Sequence, residues 1–321
     1  MNWLHRYCRL LAVATLLLVT AGGMVTSTNS GLSVPDWPTT YGQNMFTFPL
    51  DRMVGGIFFE HGHRLIASTV GFLTIGLAIL LWRVEPRRWV RRLGYMALGV
   101  VILQGILGGL TVIFLLPDAI SISHAGLAQL FFSIVVSLTL FTSRTWREPA
   151  TAPVDDAKLR RRLAIMTALV YVQILLGATM RHTGAGLAIP DFPLSYGHVV
   201  PPFWSFAIAI HFAHRLGALT IAFIALFNLG YIWTRYSNRR ELTRPISLLI
   251  LIVATQVSLG ALVVLTGKQP IVNTLHVATG ALVLVTSLVL TLRSYRVRFS
   301  QPAGAARAVS GHAPVREAFQ S

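Results

Sequence analysis

Charge is what this chain most conspicuously lacks. Only 12% of its 321 residues are Asp, Glu, Lys or Arg, against about 25% in a soluble domain, which excludes an ordinary water-soluble fold. Acids are the scarcest of these, 11 in all, and the formal net charge is +16. Cysteine is nearly absent: Cys8 stands alone, excluding an intramolecular disulfide or a thiolate metal cluster. Short alternating strands are also missing, so a transmembrane β-barrel is excluded.

What the chain has instead is apolar length. Eight runs of about 20 residues, the span of a membrane helix, lie near 8–25, 57–82, 94–115, 121–142, 162–180, 205–233, 246–266 and 271–292. Helix is their expected state, because lipid offers backbone N–H and C=O groups no other partner. The basic residues gather in alternate connections. Arg83, Arg87, Arg88, Arg91 and Arg92 follow the second run, Arg144 to Arg162 the fourth, and Arg235 to Arg244 the sixth. Both termini are therefore expected in the cytoplasm, and the 26–56 and 181–204 loops outside. This distribution makes the basicity a topology signal, so no nucleic-acid partner is expected. The first run resembles a signal peptide, but a matching helix recurs mid-chain, so it is read as a helix of the fold. No transit-peptide composition is present, and the expected location is a bacterial inner (plasma) membrane.

The chain is a duplication. Residues 31–42 ("GLSVPDWPTTYG") and 186–197 ("GLAIPDFPLSYG") align without a gap at an offset of 155. His63-Arg64 matches His214-Arg215 at 151, and Gln104, Leu107, Gly108, Leu110 and His124 match Gln256, Leu259, Gly260, Leu262 and His276 at 152. Four helices per unit, an even number, give a parallel repeat about an axis along the membrane normal. The expected fold is all-α and polytopic, with eight transmembrane helices as two tandem pseudo-symmetric four-helix bundles. The expected units are 1–145, a polar cytoplasmic linker 146–160, 161–295, and a disordered cytoplasmic tail 296–321.

His63, His124, His214 and His276 each fall near the start of an even-numbered helix, at one depth near the outer face. Two per bundle on facing helices suit the two axial positions of a haem iron. Zinc fits less well, since its ligands are usually closer in sequence or joined by cysteine and carboxylate. Arg64 and Arg215 follow their histidines by one residue, where a guanidinium pairs with a haem propionate or anchors the helix at the headgroups. Small residues at Gly105, Gly108, Gly109, Gly260 and Gly280 admit a bulky ring or close helix packing. Glu60 is the one acid at the mouth of an apolar run beside a histidine, an expensive placement that marks a functional candidate. Its repeat partner is His211, so the halves differ here. The first half reads as a reaction site and the second as an electron-carrying or structural haem site. His61, His182 and His198 read as interfacial.

These motifs, with "QGILGGLTV" before His124 and "LTGKQPIVNTLH" ending at His276, resemble the haem A synthase family over roughly residues 8–293. The resemblance implies oxidation of the C8 methyl of haem O to a formyl group through hydroxylated intermediates, for terminal oxidase biogenesis. It implies His63 and His124 at the substrate-haem site, His214 and His276 as ligands of a resident haem b, and Glu60 as the catalytic carboxylate. The implied partners are haem O, a haem O synthase, membrane lipid and an electron donor. One departure stands out. Many members carry a cysteine pair in the first outer loop, where this chain has Val34-Pro35-Asp36-Trp37-Pro38-Thr39-Thr40, so electrons cannot pass through a loop disulfide here. Competing readings are a two-haem electron carrier, which has no need of Glu60 or of exchange of one haem, and a haem exporter, which explains outer-face histidines but not two complete bis-histidine pairs.

Overall fold

A computed structural model of the chain describes residues 2–148 and 152–299. Among these residues there is no strand, and eight helices are long and apolar enough to cross a membrane. They are α1 (Asn2–Ser27), α2 (Gly56–Val84), α3 (Arg88–Ile113), α4 (Asp118–Thr142), α5 (Ala157–His182), α6 (Phe206–Tyr236), α7 (Arg240–Leu265) and α8 (Pro270–Ser294). The protein is an all-helical multi-pass membrane protein.

Helix ends follow local chemistry. Asp156 caps α5 by accepting the Leu159 N–H at 2.9 Å, and Ser205 caps α6 through Ile208 N–H at 3.2 Å. Pro270 opens α8, where its missing N–H costs nothing. Before Pro86, α2 stops at Val84. Several helices begin before their apolar runs, α3 at Arg88, α5 at Ala157 and α7 at Arg240. Arginines extend these first turns because their apolar stems and charged heads suit the lipid boundary. A helical turn at Arg144–Arg147 and the start of α5 at Ala157 both reach into the span expected as the 146–160 linker. Arg296–Arg298 forms a 3-10 turn; the remainder of the expected tail lies outside the described residues.

Large apolar side chains such as Leu17, Phe72, Ile79, Phe223 and Leu251 are exposed, as suits helices facing lipid rather than water. Hydroxyls inside helices are satisfied locally: Thr15 donates to Leu11 C=O and Thr74 to Val70 C=O, both at 2.7 Å.

Neighbouring helices pack in chain order, and the fourth of each half returns to its first: α4 to α1, and α8 to α5. Leu11, Leu77, Leu81, Phe131 and Leu138 bury themselves among α1–α4. Leu163, Met166, Ile221, Leu249 and Leu284 do so among α5–α8. The halves meet where α1 packs on α8, and α4 on α5 and α8, around Phe132, Ala281 and Val285. Without a hydrophobic drive between helices in lipid, such contacts depend on close fit. Gly94 accordingly has no Cβ because the Leu81 side chain fills that space.

Candidate functional site

Two long loops, one per half, close over the same end of the helices and share one design. In each, an aspartate collects backbone N–H groups two turns of chain ahead. Asp36 accepts from Tyr41 and Gly42, both at 2.8 Å, and from the Thr39 hydroxyl at 2.5 Å. Asp191 accepts from Tyr196 at 2.7 Å and Gly197 at 2.8 Å. Tyr41 and Gly42 take φ of 51° and 72°, and Tyr196 and Gly197 take 56° and 78°, which explains the paired Tyr-Gly of both motifs: the second position needs glycine's freedom. For Asp36, burial pushes the carboxyl up, but hydrogen bonds from Gly42, Thr39 and Tyr41 outweigh it and hold it down at about 2. The Gly197 N–H likewise lowers Asp191.

An arginine fastens each loop to the helix below. Arg64 donates to Asp36 C=O (2.8 Å), Thr39 C=O (3.1 Å) and Val34 C=O (2.9 Å), and to Glu60 Oε1 (2.7 Å). Arg215 donates to Leu194 C=O (2.8 Å), Ile189 C=O (3.1 Å) and Asp191 C=O (2.7 Å), and lies over the Phe192 ring. Glu60, 4% exposed, completes the latch: its Oε2 accepts the Val34 N–H at 2.7 Å. In the second half, His211 Nδ1 accepts the equivalent Ile189 N–H at 3.2 Å. Glu60 and His211 therefore do one structural job with different charge. His61 is also a loop partner: it is buried, its Nδ1 lies 3.0 Å from the Thr40 hydroxyl, and Phe48 packs on its ring. This corrects its reading as interfacial; repetition gave no hint, because position 61 has no counterpart histidine. His198 is exposed and His182 half-buried.

The four candidate ligand histidines sit six to eight residues into α2, α4, α6 and α8, about 9–12 Å below the helix starts. Each imidazole rests against a glycine of the preceding odd-numbered helix. A Cβ built on Gly22, Gly108, Gly177 or Gly260 would stand 3.0, 3.2, 2.8 or 3.0 Å from Cε1 of His63, His124, His214 or His276. At Gly177 an added Cβ would overlap the His214 ring, and at the other three it would press the ring aside by a few tenths of an ångström. Gly109, in contrast, accommodates the Trp37 indole of the outer loop, and Gly280 faces the Gln256 amide.

One turn before three of these notches stands a glutamine. Gln104 Nε2 lies 3.2 Å from His124 Nε2 and donates to the His124 carbonyl at 3.0 Å. Gln173 Nε2 lies 3.0 Å from His214 Nδ1 and 2.6 Å from the His214 carbonyl. Gln256 Nε2 lies 3.4 Å from His276 Nε2. Gln104 and Gln256 were visible as repeat matches, whereas Gln173 has Leu18 as its counterpart and gave no such signal.

The residues fit a haem. The rings of His214 and His276 stand 6.4 Å apart between centroids. Two imidazoles sharing one metal stand about 6.3 Å apart, given N–metal bonds of about 2.0 Å and a ring radius of about 1.2 Å. Nδ1 of His63, His124 and His276 is buried without a protein partner, a costly state that a bound group relieves. Among the described residues, no three His, Cys, Asp or Glu side chains gather as a metal cluster, which favours paired axial ligands over zinc. Cys8, buried in α1, lies at the opposite end from the loops.

Residues 5–289 match the family model COX15-CtaA, described as cytochrome oxidase assembly protein. A protein named Heme A synthase from Shouchella clausii is 33% identical over 303 residues, 92% of this chain and 97% of the relative. Proteins of the same name from Halalkalibacterium halodurans and Symbiobacterium thermophilum are 29% and 31% identical, covering 90% and 77% of this chain and 94% and 81% of theirs. With the match spanning both halves, the chain belongs to the COX15-CtaA family of cytochrome oxidase assembly proteins.

Proposed function

We propose that this protein is a haem A synthase, an oxidoreductase that converts the C8 methyl of haem O to a formyl group. The observation that carries the reading is a histidine pair repeated in both halves, with a buried carboxylate, Glu60, one turn before His63 on α2 and no counterpart acid in the second half. Relatives named Heme A synthase support it. In this reading residues 1–145 form a bundle that takes haem O between His63 and His124, and 161–295 a bundle that holds haem b between His214 and His276. Both termini lie in the cytoplasm, as the basic connections indicate. A haem O synthase supplies the substrate.

Bound between His214 and His276, a haem b would supply one-electron redox chemistry. The chain's own residues do the rest. The notch glycines fix where each imidazole lies, and the latched loops cover the histidines and exclude water from that end. Arg64 and Arg215 hold the loops and would supply positive charge to haem propionates at that end. Glu60 lies one turn before His63 on the same helix face, where its carboxylate accepts a proton or offsets positive charge at the edge of the substrate.

The test is haem extraction and chromatography on the purified protein, produced with and without a haem O source. Haem b alone without that source, joined by haem A or its hydroxylated precursor with it, is the expected result. Two equivalents of unmodified haem b in both cases would indicate an electron carrier instead. Glu60→Ala and Glu60→Gln should each keep haem b yet accumulate haem O, and normal haem A from both would remove Glu60 from catalysis.

A further inference from the structure

Each ligand histidine rests on a notch glycine of the preceding helix. One turn before that glycine stands Gln104 for His124, Gln173 for His214 and Gln256 for His276, each bringing its side-chain amide to 3.0–3.4 Å from a ring nitrogen. At the same position for His63 stands Leu18, whose side chain has no hydrogen-bonding group.

The difference extends to the facing helix. A Cβ on Gly217 would overlap the Gln173 amide oxygen, so the glycine exists to admit the glutamine. At the 151-residue offset that relates His63 to His214, the equivalent of Gly217 is Ile66. The second half thus carries a glutamine–glycine pair behind His214, and the first half a leucine–isoleucine pair behind His63. A metal-bound imidazole donates its second ring N–H to an acceptor, and that partner fixes its orientation and basicity. An amide is suited to the task in both states. Its NH₂ meets a free ring nitrogen, and its oxygen, which is buried without a partner in Gln104 and Gln256, accepts a ring N–H.

We infer that the glutamines are positioning residues that make His124, His214 and His276 firm ligands, and that Leu18 with Ile66 makes His63 the ligand that yields. The haem of the first half is then exchangeable through its His63 side, and the haem of the second half is resident. This rests on the synthase reading and explains how one duplicated fold can release one haem and keep the other.

The test exchanges the two pairs. Wild type, Leu18→Gln/Ile66→Gly and Gln173→Leu/Gly217→Ile are each produced with a haem O source, purified in detergent and mixed with excess apomyoglobin. The haem transferred is identified by extraction, since haem O and its products mark the first half and haem b the second. Wild type should lose first-half haem faster than haem b. Leu18→Gln/Ile66→Gly should slow that loss by about 10- to 100-fold, and Gln173→Leu/Gly217→Ile should speed haem b loss by a similar factor. A merely structural role would not make the first variant retain haem more firmly, so that variant decides the matter if the second fails to fold. Unchanged transfer in a folded Leu18→Gln/Ile66→Gly, or equal transfer from both halves of a two-haem wild type, overturns this inference alone. A wild type that holds no haem overturns the synthase reading as well.

Discussion

At the scale of single residues, the site depends on atoms that are missing. His214 reaches its place because Gly177 has no Cβ; one added there would lie 2.8 Å from the ring, closer than van der Waals contact allows. Gly177→Ala should therefore push the imidazole off its position and lower haem b content in the purified protein severalfold. Gly71→Ala, at a position with nothing within 4 Å of an added Cβ, should leave it unchanged. Equal haem b in both variants would show that the notch is not needed. The histidines were legible in the sequence because duplication printed each twice. Their notches were half-legible: Gly108 and Gly260 stood in the matched blocks, and Gly22 and Gly177 share the 155 offset of the loops. Gln173 was not legible, since its meaning lies in a contact with α6 and its counterpart is Leu18.

At the scale of elements, the loops are braced by hydrogen bonds where many relatives by resemblance carry a cysteine pair. Asp36 is the centre of the first brace. Its carboxyl is lowered from 3.8 to about 2, so the folded loop binds the ionised form. The stability this contributes is fully present above about pH 4 and is lost as pH falls through about 2. Hydrogen exchange at Tyr41 and Gly42 should therefore be equally protected, after correction for intrinsic rate, at pH 5 and pH 8. Asp36→Ala should lose that protection throughout; retention of it would mean that Arg64 alone closes the loop. The arginines illustrate what spacing does not convey. Arg64 and Arg215 stand beside their histidines in sequence, yet i and i+1 on a helix diverge by about 100°, and each guanidinium turns to loop carbonyls. Sequence order marked the right residues, while the loop that occupies them became visible only in three dimensions.

At the scale of the whole molecule, the proposed passage of electrons from one half to the other requires that the two stay in register. Their seam is mostly apolar, and in lipid apolar surface alone does not specify a partner. Specificity falls to a polar knot near the loop end of α1. Ser27 Oγ receives Arg181 from α5 at 2.9 Å, and Asn273 and Thr274 from α8 at 3.2 and 3.1 Å. Arg181 also donates to the Gly23 carbonyl at 2.9 Å. One hydroxyl of the first half thus gathers three side chains of the second. Ser27→Ala removes the acceptor with little change in volume, leaving those donors short of a partner. A buried donor left unsatisfied costs about 1–3 kcal/mol, and the three are coupled, so their losses do not simply add. The variant should melt several degrees lower in detergent while each half keeps its helices. If the halves are held in register by this knot, electron transfer from reduced haem b to the first half should slow more than haem b binding weakens. A melting temperature equal to wild type would place the specificity of the seam in the packing of Phe132, Ala281 and Val285 instead.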